Sequence, residues 1–471
     1  MDHQQEPLQM PDPSPADFHN GSLWFDSLDE PPAPRLPDAL PQRTDVAIVG
    51  GGYTGLWSAY YLKRAAPDLD ITLFEADTVG FGASGRNGGW CMGAAWGVER
   101  LLADPQTASA GIALQRALFD TVEEIGRICQ AENIDAHFAR GGTLTVATLP
   151  FQVDTLQRHL AHLHDLGFST DDYRWLPPDE ARGRIRVQPN HGALYSPHCA
   201  AVHPARLVRG LAQVVQRLGV TILERTPVSA LEPGRVHTPR GAVHAGRIIR
   251  ATEGYTGSIA GHRRDLIPVY SMMVATEPLS EALWQEIGLH DRETFGDPRR
   301  MVIYGQRTLD NRLAFGGRAG YYFGSRRRRI IPPDDPKLGR VEQTLRSLLP
   351  QLDGIAITHR WGGLLGVPRH WRPCVTFDAR SGMGWAGGYI GEGVAASNLA
   401  GRIMTELVLE RASPLTRLPW VDDQARRWEP EPLRWLGARA VEQIGVRADR
   451  AERRSGHPSR LWGGLFERFF G

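Results

Sequence analysis

A glycine-rich turn between a short apolar run and a helix-like segment is the feature that most constrains this chain. The run DVAIV ends at Val49, and the motif Gly50-x-Gly52-x-x-Gly55 follows it directly. The first glycine allows a tight turn, the second admits a pyrophosphate to the backbone, and the third lets the helix pack closely on the strand. Free N–H groups at the helix start hold the phosphates. The pattern therefore predicts a dinucleotide-binding βαβ unit.

A carboxylate stands where such a unit places its ribose ligand. Pro67 ends the helix-like segment, and the run ITLFE at residues 71–75 is predicted to be the second parallel strand. Glu75 closes that strand 20 positions after Gly55, and a carboxylate at that spacing binds an adenosine ribose hydroxyl. A glycine-rich turn without a ligand is the alternative, and the joint presence of strand, helix and carboxylate argues against it.

Two further glycine-rich runs extend the predicted cofactor site. The run GFGASGRNGGW at residues 80–90 would let the backbone lie flat along a cofactor, and an NAD enzyme has no evident need for it. The run GGYIGEGV at residues 387–394 leads into a helix-like segment. A helix N-terminus there would stabilise the negative charge that a reduced flavin carries. A flexible loop and an ordinary helix entry are the alternative interpretations of the two runs.

The sequence resembles the D-amino acid oxidase, glycine oxidase and sarcosine oxidase superfamily of FAD enzymes. It is similar in particular to the bacterial branch named for γ-glutamylputrescine oxidoreductase. The resemblance covers roughly residues 40–412, and it is carried by DVAIVGGGYTGLWSAYYL, FEADTVGFGASGRNGG, RIIRATEGYTG, IPVYSMMVATEPL, RLAFGGRAG and WAGGYIGEGVAASNLAGR. These motifs are specific for FAD and for the superfamily, but they do not identify the substrate.

The patterns and the resemblance together imply an α/β fold. A Rossmann-like FAD-binding domain is interleaved with an α+β substrate domain, whose antiparallel sheet is indicated by strand-like alternation over residues 265–320. The FAD-binding domain is predicted at 44–95, 196–264 and 358–412, and the substrate-binding domain at 96–195 and 265–357. An extended N-terminal arm is predicted at 1–43, packed on the surface around Leu23, Trp24 and Phe25, and a helical tail at 413–471.

The resemblance also assigns individual residues to FAD. Glu75 would bind the ribose, Ser84 the pyrophosphate, and Val228 would touch the adenine through its backbone. The full predicted set is Gly50, Gly52, Tyr53, Thr54, Gly55, Glu75, Ala76, Gly82, Ala83, Ser84, Arg86, Asn87, Gly88, Gly89, Val228, Thr252, Gly254, Gly388, Gly391, Gly393 and Val394. We expect non-covalent FAD, because the sequence around Cys374 does not match relatives that attach the cofactor through a cysteine.

Five side chains are candidates for contact with substrate. Tyr270 and Tyr304 lie on the antiparallel block, His370 and Trp371 precede the C-terminal glycine run, and Glu392 stands where many relatives have His. For each, the alternative is a core or rim residue, since a single aromatic residue on a strand is usually core.

The resemblance implies hydride transfer from the carbon next to an amine nitrogen to flavin N5, after which the imine hydrolyses to an aldehyde or keto acid. The run Arg326–Arg329 is either a solvated loop or a clamp for an anionic amine, whereas Glu392 with aromatic residues would favour a cationic polyamine. The alternatives are a flavin hydroxylase that uses NADPH, for which no second nucleotide motif is evident, and a non-catalytic FAD-binding protein.

The electron acceptor is left open between oxygen and another compound. Some oxidases of the group use a lysine near the flavin to promote reaction with oxygen, and the only two lysines, Lys63 and Lys337, are not at plausible positions for that role.

Composition excludes several classes of protein. A formal net charge of +1 predicts no nucleic-acid partner. The sequence contains no run of about 20 apolar residues, so no membrane span is expected. Four widely separated cysteines without a CxxC pair predict neither a disulfide scaffold nor a zinc site, so no metal is expected. Without a signal-peptide pattern, a cytoplasmic location is expected, and the chain is either a monomer or a homodimer.

Overall fold

Two eight-stranded sheets and a two-stranded ribbon form the framework of the described part of the chain. The computed structural model describes residues 22–30, 39–325, 327 and 331–470. The strands are β1 (Arg43–Val49), β2 (Ile71–Phe74), β3 (Trp90–Met92), β4 (Thr143–Val146), β5 (Arg174–Leu176), β6 (Ala193–Ser196), β7 (Cys199–Ala201), β8 (Thr221–Leu223), β9 (Ala230–Glu232), β10 (Arg235–Thr238), β11 (Gly241–Arg250), β12 (Ile267–Thr276), β13 (Thr294–Gly296), β14 (Ile303–Arg307), β15 (Leu313–Tyr321), β16 (Ile357–Val367), β17 (Cys374–Asp378) and β18 (Met383–Gly387).

Helices cover both sheets, and short 3₁₀ turns connect several of the strands. The α-helices are α1 (Leu23–Asp26), α2 (Tyr53–Ala65), α3 (Val98–Ala103), α4 (Ala108–Ala131), α5 (Pro150–Asp165), α6 (Pro178–Arg184), α7 (Pro204–Arg217), α8 (Glu281–Ile287), α9 (Pro336–Leu348), α10 (Gly393–Val408), α11 (Leu433–Ser455) and α12 (Arg460–Phe470).

The first sheet is mostly parallel, with the main strand order β17-β18-β11-β1-β2-β8. Strands β18, β11, β1, β2 and β8 run parallel to one another, and β17 joins the edge antiparallel to β18. Strand β1 lies inside the sheet, and its residues Val46, Ala47 and Ile48 are each 0% exposed. Parallel strands covered on both faces need such apolar runs, so the apolar run before the glycines encodes the centre of this sheet and confirms the α/β prediction.

Helix α10 packs closely on α2 over one face of this sheet. A Cβ atom on Gly401 would lie 2.8 Å from the Cβ of Trp57, so only glycine allows this approach. Helix α4 contributes Leu114 and Leu118 to the same core. The apolar face of α4, which lies in the predicted substrate segment 96–195, thus packs with the parallel-sheet core.

The second sheet is antiparallel except where β13 and β4 pair in parallel, and its order is β16-β12-β15-β14-β13-β4-β6-β5. Its core includes residues from α8 and α9. This sheet is the predicted antiparallel block. Strand β16 pairs with β12 along its whole length, so residues 358–367 of the predicted FAD-binding segment 358–412 lie in the second sheet. The division into two discontinuous domains stays a prediction.

Within the described part of the N-terminal arm, residues 23–26 form a helix and residues 22–25 are buried, so this stretch is not extended on the surface. In α1, Leu23 and Trp24 are each 2% exposed and Phe25 is 7% exposed. Ser22 precedes the helix, and its hydroxyl donates to the carbonyl of Gly85, 3.1 Å away. The arm therefore packs against the second glycine-rich run, while residues 1–21 and 31–38 of the prediction lie outside the described residues.

Candidate active site

The carboxyl ends of four parallel strands meet at one edge of the first sheet. Strand β1 leads to Gly50, β2 to Glu75, β11 to Thr252 and β18 to Gly388. In open α/β sheets, ligands bind in the crevice outside the carboxyl ends of the strands. Segments far apart in sequence that were predicted to bind one cofactor are thus brought to one place.

The glycines of the first motif have no room for side chains. Gly50 has a φ of +116°, and a Cβ atom on it would lie 2.4 Å from the carbonyl oxygen of Ala251. A Cβ atom on Gly55 would lie 2.1 Å from the carbonyl oxygen of Gly50. These contacts fit the predicted tasks of a tight turn and a close helix, and they form the cradle that a dinucleotide needs.

The start of α2 faces the second glycine-rich run. Gly52 is the residue before the helix, and a Cβ atom on it would lie 2.8 Å from Oγ of Ser84. The N–H of Tyr53 donates to the same hydroxyl, 3.0 Å away. Backbone N–H groups and the helix dipole form an anion site at such a terminus, so three residues predicted to bind FAD, Gly52, Tyr53 and Ser84, lie close together.

Glu75 is held by backbone donors at the end of β2. Its Oε2 accepts from the N–H of Gly51 at 2.7 Å, and its Oε1 accepts from the N–H of Asp77 at 2.9 Å. Burial raises the pKa of this carboxyl to about 7, against the effect of the two backbone bonds. Each carboxylate oxygen keeps capacity for another donor, as a ribose hydroxyl requires.

The other residues predicted around the adenosine lie on both sides of this carboxylate. Ala76 is exposed. Val228 is 9% exposed and packs with Val49 and Phe74, which end β1 and β2. Thr252 exchanges a hydrogen bond with Thr256 through their hydroxyls, 2.9 Å apart.

The second glycine-rich run is a loop held by hydrogen bonds among its own residues. Asn87 donates from Nδ2 to the carbonyls of Ala83 and Ser84, and it accepts from the N–H of Gly89 at 2.7 Å. Since these bonds use the amide side chain, Asn87 shapes the loop and presents its backbone. Arg86 is 6% exposed, and its guanidinium lies over the ring of Phe81, 4.6 Å from the ring centre.

Three distant side chains fix the carbonyls of this loop. Trp361 Nε1 donates to Arg86 at 2.9 Å, Trp24 Nε1 to Asn87 at 2.8 Å, and Gln306 Nε2 to Gly88 at 2.7 Å. The sequence analysis missed all three donors. Each comes from a different element, and nothing in the local patterns indicates that these elements meet.

The third glycine-rich run links β18 to α10. Gly388 and Gly391 have φ angles of +81° and +110°, which favour glycine. Glu392 occupies the N-cap position of α10, Gly393 begins the helix, and Val394 in its first turn is 5% exposed. The predicted flavin residues thus form a helix N-terminus at the same sheet edge as the first motif.

Glu253 is a buried acid of this site that the sequence analysis did not select. Its Oε1 accepts from the N–H groups of Gly388 and Tyr389, each 2.9 Å away. Burial raises the pKa of Glu253 to about 7. The Tyr389 hydroxyl in turn shares a hydrogen bond with Oγ1 of Thr54, 3.0 Å away. Glu253 therefore ties the end of β11 to the C-terminal glycine run and, through Tyr389, to the start of α2.

The two tyrosine candidates lie in different places. The ring of Tyr304 lies against Gly88, so that a Cβ atom on Gly88 would be 2.5 Å from Cε2 of that ring. The Tyr304 hydroxyl shares a hydrogen bond with the hydroxyl of Ser271. Tyr270 is 2% exposed, belongs to the core with α9, and packs edge-on against Tyr322. Tyr304 thus adjoins the predicted flavin loop, whereas Tyr270 is buried in the core of the second sheet.

His370 has both ring nitrogens occupied by backbone groups. Nε2 donates to the carbonyl of Asp423 at 2.8 Å, and Nδ1 accepts from the N–H of Arg372 at 3.2 Å. In this arrangement His370 links its loop to the backbone of Asp423. Trp371 has a φ of +59°, and its ring lies 5.8 Å from that of Trp96. The structure thus ties His370 to two backbone groups, and its predicted contact with substrate stays a prediction.

The remaining candidate groups are the arginine run at residues 326–329 and the two lysines. Arg326, Arg328 and Arg329 lie outside the described residues, and Arg327 is exposed, so the clamp stays a prediction. Lys63 donates to the carbonyls of Pro67 and Leu69, and Lys337 lies over the ring of Tyr322.

The cysteine relevant to covalent attachment is enclosed. Cys374 is 0% exposed within β17, and burial raises its pKa to about 12. Such a thiol forms no thiolate at neutral pH, so the interior position argues against its use as a nucleophile.

Comparison with known proteins gives consistent matches across most of the chain. The family model described as DAO, FAD dependent oxidoreductase, matches residues 45–407. The probable oxidoreductase OrdL of Rhizobium meliloti is 29% identical, over 84% of this chain and 90% of its own length. The γ-glutamylputrescine oxidoreductase of Escherichia coli is 30% identical, over 84% of this chain and 91% of its own length.

Solved structures match the fold. The glycine oxidase of Geobacillus kaustophilus superposes with a TM-score of 0.69 at 19% identity, covering 83% of this chain and all of that chain (100%). The L-proline dehydrogenase of P. horikoshii superposes with a TM-score of 0.66, also at 19% identity, covering 81% of this chain and 96% of that one. Among the described residues, no helix is long and apolar enough to cross a membrane.

Proposed function

We propose that this chain, which belongs to the FAD-dependent oxidoreductase family, oxidises a primary or secondary amine. The observation that carries the proposal is the meeting of three glycine-rich runs and Glu75 at one sheet edge. Relatives named γ-glutamylputrescine oxidoreductase and sarcosine oxidase subunit beta support an amine as the substrate class. Amino acids, polyamine derivatives and aminophosphonates all belong to this class.

The chain's own residues would hold the cofactor along its length. The turn at Gly50 and the N-terminus of α2 would bind the pyrophosphate, and the Glu75 carboxylate would accept from the ribose hydroxyls. The N-terminus of α10 would lie against the flavin and stabilise negative charge there. When bound, FAD supplies the hydride acceptor.

The apolar surroundings would promote loss of the substrate proton. An ammonium group must release a proton before its neighbouring carbon can give up a hydride, and desolvation lowers the pKa of an amine. Trp24 and Trp361 are buried next to the loop at residues 86–88, and the ring of Tyr304 packs against the same apolar cluster. No side-chain base is needed for the hydride step, and water then hydrolyses the imine.

An anaerobic absorbance screen tests this function. We expect a yellow protein whose flavin band bleaches on addition of one class within a panel of D- and L-amino acids, N-methylated amino acids, polyamines and aminophosphonates. Readmission of air would show whether oxygen is the electron acceptor. A yellow protein that no amine bleaches, but that consumes NADPH with an aromatic substrate, would contradict the proposal and favour a hydroxylase.

A further inference from the structure

After the family match ends at residue 407, the chain returns to pack against the loop that carries His370 and Trp371. The residues from Trp420 to Trp435, here called the C-terminal segment, precede and begin α11. Trp420 is 2% exposed, and Trp428 and Trp435 are half-buried. This segment lies against the loop at residues 368–373, here called the 368–373 loop, which joins β16 to β17 and carries His370 and Trp371.

Three polar contacts attach the 368–373 loop to the C-terminal segment. Trp428 Nε1 donates to the carbonyl of Val367, the last residue of β16, at 2.8 Å. The Asp423 carbonyl accepts from His370 at 2.8 Å, and its carboxylate pairs with Arg372 at 2.9 Å. Both ends of the loop are therefore held by residues of one short stretch of chain.

Arg369 adds a fourth attachment between these ends. Its guanidinium lies over the ring of Trp428, 5.0 Å from the ring centre, and its Nε donates to Glu429 at 3.2 Å. An arginine stacked on an aromatic face and paired with a carboxylate is held in one orientation. The loop is thus bound on its outer side along most of its length.

The inner side of the 368–373 loop reaches the third glycine-rich run. Trp371 and Trp428 both pack against a buried cluster formed by Ile267, Tyr321, Val367 and Ile390. Ile390 is 1% exposed and immediately precedes Gly391, one of the predicted flavin residues. The positive φ of Trp371 is uncommon for a bulky residue and persists only where the surroundings over-determine it.

The C-terminal segment is itself anchored on the second sheet. The Glu431 carboxylate bonds to the Tyr321 hydroxyl at the end of β15, and it accepts from Arg434 and from the N–H of Trp435, each at 3.1 Å. Arg434 is 4% exposed. A buried, paired arginine of this kind gives a fixed element, not a loose flap.

We propose that the C-terminal segment is a specificity-determining wall of the amine site. By holding the 368–373 loop and Trp371 against Ile390, it sets how long and how bulky an amine can be beyond its reacting carbon. A cavity of about 300 Å³ lies beside this wall, lined by Trp96, Arg372 and residues 419–423 among others. This inference rests on the proposed function, in which the loop packed against Ile390 would lie at the substrate end of the flavin.

Single substitutions in the full-length enzyme test the wall. Trp428→Ala removes the bond to Val367 and the surface under Arg369, and Arg369→Ala removes that stack and the pair with Glu429. We expect each to lower the discrimination in kcat/KM between the best amine and longer or bulkier ones by about tenfold, because small displacements near a reacting centre change rates strongly. The change should appear mainly in KM, with bound FAD retained.

A matched control lies on the same tail. Trp462→Ala removes a ring of α12 that also lies under an arginine, Arg447, at 5.1 Å, and it should leave discrimination within about twofold of wild type, since surface changes away from special features have small effects. Trp428→Phe keeps an aromatic ring but not the N–H donor, so it should restore part of the discrimination. Wild-type discrimination in both Trp428→Ala and Arg369→Ala would overturn the proposal.

Readouts without substrate separate this inference from the proposed function. The visible circular dichroism of bound FAD and protease cleavage within the 368–373 loop should change in Trp428→Ala and Arg369→Ala but not in Trp462→Ala. If no amine bleaches the wild-type flavin, the proposed function fails, and these two readouts still decide whether the segment orders the flavin site. Unchanged spectra and cleavage would overturn that ordering. If Trp428→Ala does not fold, Arg369→Ala and Trp428→Phe carry the test.

Discussion

At the scale of single residues, Gly52 gives the most direct test of where the cofactor binds. A valine there would place its Cβ 2.8 Å from the movable hydroxyl of Ser84 and would fill the space predicted for the pyrophosphate. Gly52→Val should therefore fold but bind FAD at least about 100-fold more weakly, a loss of about 2.7 kcal/mol. The FAD-to-protein absorbance ratio and calorimetric titration measure this loss. Gly339→Val on α9, where a Cβ meets nothing within 4 Å, is the control, and a fully loaded Gly52→Val variant would contradict the assignment.

Glu253 should make the free energy of unfolding depend on pH. Its pKa is raised from 4.5 to about 7 in the folded protein, so the folded state binds this proton more tightly than the unfolded state does. The stabilisation that this carboxyl contributes is full below pH 4.5 and is lost as the pH rises through 7. The pKa of Glu75 is also raised, so its contribution to stability changes with pH in the same direction.

Glu253→Gln tests this dependence in the apoprotein. The amide keeps an oxygen for the N–H groups of Gly388 and Tyr389 but does not ionise. Between pH 5 and 8 the variant should lose less free energy of unfolding than wild type, by about 1–3 kcal/mol, measured by urea denaturation. Glu467→Gln, at an exposed position on α12, should follow wild type. Equal pH dependence in wild type and Glu253→Gln would disprove the role of this carboxyl.

At the scale of elements, local signals decided what could be predicted. The unit β1–α2–β2 was predicted because its apolar runs, glycines and carboxylate are neighbours in sequence, each with a local physical task. The pairing of strand β16 with β12 was not predicted, because nothing in its glycine-rich run RWGGLLGV indicates that partner. Glu253 was missed for a related reason, since its partners lie on a strand end more than 130 positions later.

The aromatic residues show the same limit. Trp24 was placed on a surface arm, because a short apolar group in a proline-rich region has no local sign of its destination. In the structure it donates to the carbonyl of Asn87, 63 positions away. His370 was selected as a catalytic candidate by its position before a glycine run, and only the fold shows that its Nε2 donates to the carbonyl of Asp423. Residue type and local sequence do not predict such tertiary contacts.

At the scale of the whole molecule, the predicted cofactor site joins segments from Gly50 to Val394 at one sheet edge. A ligand that binds only the folded state stabilises it by about 2.7 kcal/mol at 100 times its Kd. That stabilisation acts first where the ligand makes contacts, because local opening free energies differ across a structure. FAD should therefore order the glycine-rich runs more than it orders the far face of the second sheet.

Hydrogen exchange of the apoprotein and the FAD-loaded protein tests this distribution. Residues 50–55, 82–89 and 387–394 should gain protection on FAD binding, because their N–H groups lie at or beside the predicted contacts. Helices α8 and α9 should change little, since they pack against the opposite core of the second sheet. If the gain in α8 and α9 equalled that in the glycine-rich runs, FAD would act through global stability alone. The convergence of these runs would then not mark the binding site.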